Sequence, residues 1–310
     1  MEGRNIRSAV VTGATGMIGS TLTRLLIEQG IKVTAIVRPG SAKRGNLPDH
    51  PLLTVVEAEM TDWKELQPTT YGDAFFHLAW MGTYGDARND YELQLSNISC
   101  TLDAVKLAER FGCQIFVGAG SQAEYGKPKT VLSPESKTKP ENGYGIAKLS
   151  AGMMSRGLCK QFGMAHVWTR FFSVYGPGDN AYTMVMDGIY QMLDGKRPKY
   201  TAGDQLWDYL YSEDAARAML LAAQFGMDQT VYCIGSGQVR PLAEYIELIR
   251  AAVGPEAEVG LGERPYFPGQ VMHLQADITR LTRDTGFVPQ VPFEEGIQKT
   301  VAWARTNSES

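Results

Sequence analysis

The chain has 310 residues, 44% of them hydrophobic and 21% charged, with a formal net charge of −4. That length suits one large α/β domain or two unequal lobes, and the charge balance gives no electrostatic basis for binding nucleic acid or an anionic membrane. No apolar run reaches the roughly eighteen residues of a membrane span.

The N-terminus, MEGRNIRSAVVTGATG, passes from a polar lead into a strand pattern without the h-region of a signal peptide. Its first strand, Arg7–Thr12, runs directly into TGATGMIGS, with Gly13, Gly16 and Gly19 at GxxGxxG spacing and a helix opening near Met17. One glycine permits the tight turn, one lets backbone N–H groups approach a pyrophosphate, and one lets helix and strand pack closely. The helix N-terminus adds partial positive charge for the phosphates. Gly13, Thr15, Gly16, Met17, Ile18 and Gly19 are therefore candidate dinucleotide contacts.

A helical stretch, STLTRLLIEQG, leads to the second strand, Lys32–Val37, which ends in RPGSAKRG. An NAD site usually carries a carboxylate about 20 positions beyond the glycines, on the ribose 2′-hydroxyl. Here Arg38 stands at the strand end, with Lys43 and Arg44 nearby and no carboxylate. A guanidinium suits a 2′-phosphate, so the sequence points to NADP, with NAD as the alternative. The third strand, residues 52–56, closes in EAEMTDW. Met60 and Asp62 are positioned to bound an adenine, although Asp62 reads equally as a helix N-cap for DWKELQ.

The fourth strand, AFFHLA, brings Leu78 and Ala79 to the cofactor side. Trp80, Met81 and Tyr84 follow as a candidate sugar-facing wall or, equally, as core plugs. After the helix DYELQLSNISCTLDAVKLAERFG, the fifth strand ends in FVGAGSQAEYG and sets Ser121 at a carboxyl edge. Next comes NGYGIAKL, with Tyr144 and Lys148 four residues apart on a predicted helix and so within about 40° of one another on one face. The small Gly145 and Ala147 are expected to leave the approach to them open. A phenol near its usual value of about 10 is a poor base, and a neighbouring ammonium favours the phenolate. Tyr–x–x–x–Lys alone is common, but with a serine hydroxyl about twenty residues upstream at a strand end the pair reads as proton-transfer machinery.

The sixth strand, HVWTRFF, contributes Phe171. Continuous β-branched runs joined by helices predict βαβ crossovers and a parallel sheet covered on both faces, with ligands outside the carboxyl ends. After YGPGDN the character changes. A helix, TMVMDGIYQMLDG, the polar TAGDQLWDY and a further helix, SEDAARAMLLAAQFG, precede a returning strand at residues 230–235. Residues 236–310 hold Pro/Gly-rich loops, two short helices and a frayed TNSES. The predicted fold is a Rossmann-like, doubly wound parallel α/β sheet with a smaller interleaved C-terminal lobe. Residues 1–176, with a return segment near 207–235, form the dinucleotide-binding part; 177–206 and 236–310 form the substrate lobe. Cys100, Cys113, Cys159 and Cys233 lack metal or disulfide spacing, so no metal is expected, and isolated half-buried thiols suit a reducing cytoplasm.

These motifs together resemble the extended short-chain dehydrogenase/reductases, in particular their nucleotide-sugar epimerase/dehydratase/reductase group, along essentially the whole chain. TGATGMIG is similar to the group's cofactor loop, HLAW to its fourth-strand end, Asn97 to its structural asparagine and GSQAEYG to its serine-bearing strand end. YGIAK resembles the catalytic pair, TRFFSVYGPGD and WDYLYSEDAARAM the segments around the sugar-nucleotide lobe, and ADITRLTRDTGFVPQVPFEEGIQKTVAW the C-terminal signature. The resemblance implies that Tyr144 is the acid/base toward a sugar hydroxyl, that Lys148 lowers its pKa and holds the nicotinamide ribose, and that Ser121 orients the sugar oxygen. It also implies a homodimer built on the two long helices, with Met153, Met154 and Leu158 as contact candidates.

Departures narrow the reaction. The group's 4,6-dehydratases carry Asp-Glu directly after the serine position, where this chain has Gln122 and Ala123, which transfer no protons. Ser173 stands where many relatives have asparagine, and Trp207 where arginine is common, beside a retained Asp208. Arg240 and Arg264 are then candidates for the diphosphate, and Gln122, Ser173, Trp207 and Asp208 are further candidate substrate contacts. The leading expectation is an NADP(H)-dependent reductase of a nucleotide-activated 4-keto-6-deoxy sugar, because NADP suits an enzyme that exchanges its cofactor each turn. A cofactor-retaining C4 epimerase is the alternative, and a non-catalytic cofactor-sensing or scaffold protein is disfavoured by the intact Ser–Tyr–Lys set.

Overall fold

The alternation of apolar runs and helices translates into seven parallel strands in the order β10-β6-β5-β4-β1-β2-β3. A computed structural model of the chain describes residues 3–127 and 129–308. In chain order the large sheet takes β1 (Ser8–Thr12), β2 (Lys32–Val37), β3 (Leu53–Glu57), β4 (Ala74–His77), β5 (Ile115–Ser121) and β6 (Ala165–Phe171); β10 (Thr230–Ile234) returns beside β6. The helices are α1 (Met17–Glu28), α2 (Tyr91–Arg110), α3 (Gly143–Gln161), α4 (Met184–Leu193), α5 (Ser212–Phe225), α6 (Leu242–Val253), α7 (Thr279–Thr285) and α8 (Phe293–Ser308). β7 (Ser173–Tyr175) pairs in parallel with β9 (Tyr209–Tyr211), while β8 (Leu206–Trp207) lies between β11 (Arg240–Pro241) and β12 (His273–Leu274).

Apolar side chains leave both faces of the large sheet because βαβ crossovers cover both. Val11, Phe76 and Val117 pack with Leu22 and Leu26 of α1 and Met219 of α5 on one side. Val10, Phe75 and Phe116 pack with Ala104, Val105 and Leu107 of α2 on the other. A separate cluster joins Met186 and Ile189 of α4, Tyr245 and Ile249 of α6, and Ile297 and Val301 of α8.

Five expectations need correction. β3 is only half-buried, as an edge strand with a neighbour on one side must be. DWKELQ forms no α-helix: a 3-10 turn at Met60–Asp62 continues into isolated turns, Glu65 N–H to Asp62 O at 3.0 Å and Leu66 N–H to Trp63 O at 3.3 Å, because the Trp63 ring turns into the core. Residues 236–310 hold three helices rather than two. Of the three, α6 carries a buried stripe at helical spacing, Tyr245, Ile246, Ile249 and Val253. α8 extends through Ser308, so the start of TNSES is helical, and Glu309 and Ser310 lie outside the described residues. The four cysteines are free and fully rather than half buried.

Candidate active site

The strand order reverses between β1 and β4, and at such a switch point the crossovers diverge and leave a crevice at the carboxyl ends. A groove of about 710 Å³ occupies that place. It is lined by Gly13, Thr15, Gly16, Met17, Ile18 and Gly19 from the first turn, Arg38 from the end of β2, Met60, Leu78 and Ala79, and Tyr144, Lys148 and Phe171.

The three glycines do different work. Gly13 holds φ +68°, and a Cβ there would meet Ala79 N at 2.6 Å, so the turn needs both its left-handed backbone and its bare α-carbon. A Cβ on Gly19 would meet Gly13 O at 2.2 Å, so this residue lets α1 close onto the turn. Gly16, the N-cap of α1, has only Gly13 O near an added Cβ, at 3.4 Å. No side chain caps α1 and no carboxylate stands in its first turn. Its first N–H groups and positive end therefore face the groove, which fits the diphosphate of a nicotinamide dinucleotide. Asn46 fixes the loop after β2 over this turn, its Nδ2 donating to Thr15 O at 2.9 Å.

Arg38, Ser41 and Lys43 line the groove where β2 ends, with no acidic side chain among them. Buried Met60 sits beside them with Ile36, Val37 and Ala58, an apolar slot suited to a flat base. Asp62 is exposed and does not line the groove; it is also not an N-cap, since Glu59 precedes the turn and Asp62 closes it.

α3 carries Tyr144 and Lys148, and both are buried. Asn142 caps α3, its side chain accepting from Gly145 N at 2.8 Å. Gly145 does not open an approach to the tyrosine as its size suggested. A Cβ there would meet Ala123 O at 2.5 Å, so it allows α3 to sit on the 3-10 turn Gln122–Tyr125. Ser121 caps that turn in a capping box with Glu124: its hydroxyl accepts from Ala123 N at 3.2 Å, and its N–H donates to Glu124 Oε1 at 2.9 Å. Glu124 also accepts from Trp168 Nε1 at 2.9 Å and from Arg170 Nε at 2.6 Å, all three residues being buried. The serine thus rests on a buried, fully engaged carboxylate. The S-x-x-E spacing held this signal.

The electrostatics of the pair differ from the sequence expectation. Lys148 Nζ donates to Ala119 O at 2.7 Å, lies 3.7 Å from the Trp80 ring centroid and is 5.8 Å from that of Tyr144. Burial pushes the ammonium down to about 7, against an opposing pull from Glu124. Burial likewise raises the Tyr144 phenol above its usual value; the Ser121 hydroxyl and the Arg88 guanidinium oppose that rise, and Glu124 reinforces it. Lys148 is not among the groups that act on this phenol here; its nitrogen is engaged by a carbonyl and an indole face.

The loop after β4 is pinned by α2. Asn97 clamps the Met81 backbone, accepting from its N–H and donating to its C=O, both at 2.9 Å. Gln94 accepts from Trp80 Nε1 at 3.0 Å and donates to the carbonyls of Gly82 and Ala87, both at 2.9 Å. Trp80, Met81 and Tyr84 accordingly line the groove, as do Asp179 and Asn180 from the loop after β7. Burial raises the Asp179 carboxyl to about 6; the sequence reading passed over both of these residues.

The remaining substrate candidates lie elsewhere. Ser121, Gln122 and Ser173 are not among the groove's lining residues, the groove wall ending at Gly120 on β5, and Ser173 Oγ accepts from Trp207 Nε1 at 2.8 Å. Asp208 is fully buried and accepts from Ser236 N and Oγ, Gly237 N and Ala276 N, so it is a structural tie between segments. Arg240 pairs with Glu294 at 2.5 Å, and Arg264 is exposed outside the groove.

Residues 9–235 match the family model described as NAD dependent epimerase/dehydratase family. A dTDP-glucose 4,6-dehydratase of Neisseria meningitidis serogroup B is 25% identical, the match covering 97% of this chain and 94% of that protein. The crystal structure of UDP-glucose 4-epimerase with UDP-glucose from Thermotoga maritima superposes with a TM-score of 0.87 at 26% identity, over 97% of this chain and 99% of that one. MoeE5 in complex with UDP-glucuronic acid and NAD gives 0.84 at 25% identity, over 97% and 99%.

Proposed function

Because the chain belongs to the NAD dependent epimerase/dehydratase family, we propose that it is an NADP(H)-dependent reductase of a nucleotide-activated 4-keto-6-deoxy sugar. The observation that carries this reading is Arg38, at the end of β2 on the groove wall, with Lys43 nearby and no carboxylate from β2 itself; the groove's carboxylate, Asp179, comes from the loop after β7. The cofactor's own contribution is hydride. On the protein side, residues 1–176 with the return segment near 207–235 hold the dinucleotide, and residues 177–206 and 236–310 face the sugar nucleotide. Ser121 steadies the sugar oxygen. Tyr144, kept protonated at neutral pH by burial, delivers the proton that turns the 4-keto oxygen into a hydroxyl. Lys148 stands ready for the nicotinamide ribose. Gln122 and Ala123, lacking acid/base capacity, disfavour dehydration.

The test is to offer NADPH with nucleotide-linked 4-keto-6-deoxyhexoses and, separately, UDP-glucose. Stoichiometric loss of the reduced nicotinamide absorbance supports the reductase. Interconversion of UDP-sugars with no cofactor consumed replaces it with the C4 epimerase, the reading favoured by the likeness to the Thermotoga maritima enzyme. Arg38→Asp should weaken NADPH binding by about tenfold or more while weakening NADH binding far less. Equal losses for both cofactors would remove the 2′-phosphate role.

A homodimer fits the same reading. Met153 and Met154 of α3 are 57% and 49% exposed, and Leu95 of α2 is 66% exposed, on the two long helices that pack together; Leu158, by contrast, packs inward. Light scattering should give twice the 34.1 kDa chain mass, with Met153→Glu shifting it toward the monomer.

A further inference from the structure

Tyr144 is gripped by the crossover between β4 and α2 as well as by its own helix. The Arg88 guanidinium lies over the Tyr144 ring, 4.2 Å from its centroid, closer than the Lys148 ammonium. Trp80 meets the same ring edge-on, with centroids 6.1 Å apart and planes at 84°. The segment bearing Arg88 is fastened to the start of α3. Asn89 Oδ1 accepts from Gly143 N at 3.2 Å, and a Cβ on Gly143 would meet Arg88 O at 2.9 Å, so that backbone closes directly onto the helix. Arg88 Nη1 donates to Thr83 O at 3.1 Å, which holds the guanidinium in its plane. Among the described residues no carboxylate pairs with Arg88, so its charge is not spent on an ion pair.

We propose that Arg88 is a positioning residue for the proton transfer: it clamps the Tyr144 ring in its reactive orientation and sets a guanidinium charge against the ring face. This rests on Tyr144 being the acid/base. A cation over an aromatic face is attracted to the neutral phenol by its quadrupole and more strongly to the phenolate by its full charge, so it stabilises the ionised form preferentially. The other groups acting on this phenol are Glu124 of the 3-10 turn, which opposes ionisation, and the Ser121 hydroxyl, which favours it; Tyr84 of the same crossover and Lys148 of α3, engaged by Ala119 O, also face the site. Arg88 is the cation among them that acts on Tyr144 directly.

The phenol is titrated by its tyrosinate ultraviolet absorbance, each protein being compared with its own Tyr144→Phe counterpart so that the other tyrosines cancel. Arg88→Gln should move the Tyr144 midpoint up by about half a pH unit or more, and Arg88→Lys should recover part of the shift. In the reductive direction Tyr144 acts as the proton donor, so the alkaline limb of kcat/KM should move up with it. If the glutamine variant does not fold, Arg88→Met keeps the apolar stem and carries the same expectation. A midpoint or limb that stays in place while kcat falls would mark a structural role only and overturn the proposal. The absorbance titration needs no substrate, so it stands if the reductase reading fails, and NADPH oxidation with an unmoved midpoint would reject Arg88 alone.

Discussion

Tyr144→Phe is expected to lower turnover by about 10²- to 10⁴-fold while leaving cofactor affinity nearly unchanged. The ring stays where it is: Arg88 and Trp80 hold its face and edge, not its oxygen. Folding should change little as well, because the substitution removes a buried hydroxyl along with part of the burden of desolvating it. Single-turnover rates with preloaded NADPH separate the two effects. A variant that keeps wild-type turnover would dismiss Tyr144 as the proton donor, whatever the groove binds.

Lys148→Met should divide function from stability. Turnover and cofactor affinity are expected to fall together, since Lys148 lines the groove and is the proposed holder of the nicotinamide ribose. The cofactor-free protein, however, should become more stable at pH 6. Burial holds Lys148 at about 7 in the folded chain, against an ordinary 10.5. Between those values the unfolded chain binds a proton that the folded chain does not, so stability rises with pH across that window, and the full cost is present below about 7. Methionine removes that cost but leaves Ala119 O without its donor, so a gain of order 2 kcal/mol is expected at pH 6, shrinking toward pH 10. Thermal denaturation at the two pH values measures it. A loss of stability of equal size at both would mean that the ammonium is not strained by its burial.

The sheet and the cofactor groove were readable because their signals are local. Gly13, Gly16 and Gly19 sit within one turn, and strands buried on both faces write themselves as unbroken apolar runs. Arg38 and Met60 were legible as strand-end residues on the same logic. What failed depended on partners distant in sequence. Asp208 looked like a ligand because a retained carboxylate invites that reading, and its donors at Ser236, Gly237 and Ala276 cannot be paired with it by spacing. The Tyr144–Lys148 pair was correctly placed on one helix, but its further neighbours were not legible: the indole that engages the lysine and the guanidinium that covers the tyrosine come from the crossover before α2.

The carboxylate under Ser121 restricts what this chain can become. Installing an Asp-Glu dyad at positions 122 and 123 would put two new anions next to Glu124, whose oxygens are already committed to Trp168, Arg170 and the Ser121 amide. Arg170 is one guanidinium and cannot neutralise all three. A switch to water elimination therefore requires that Glu124 be exchanged for a neutral side chain at the same time, with Arg170 given another counter-ion.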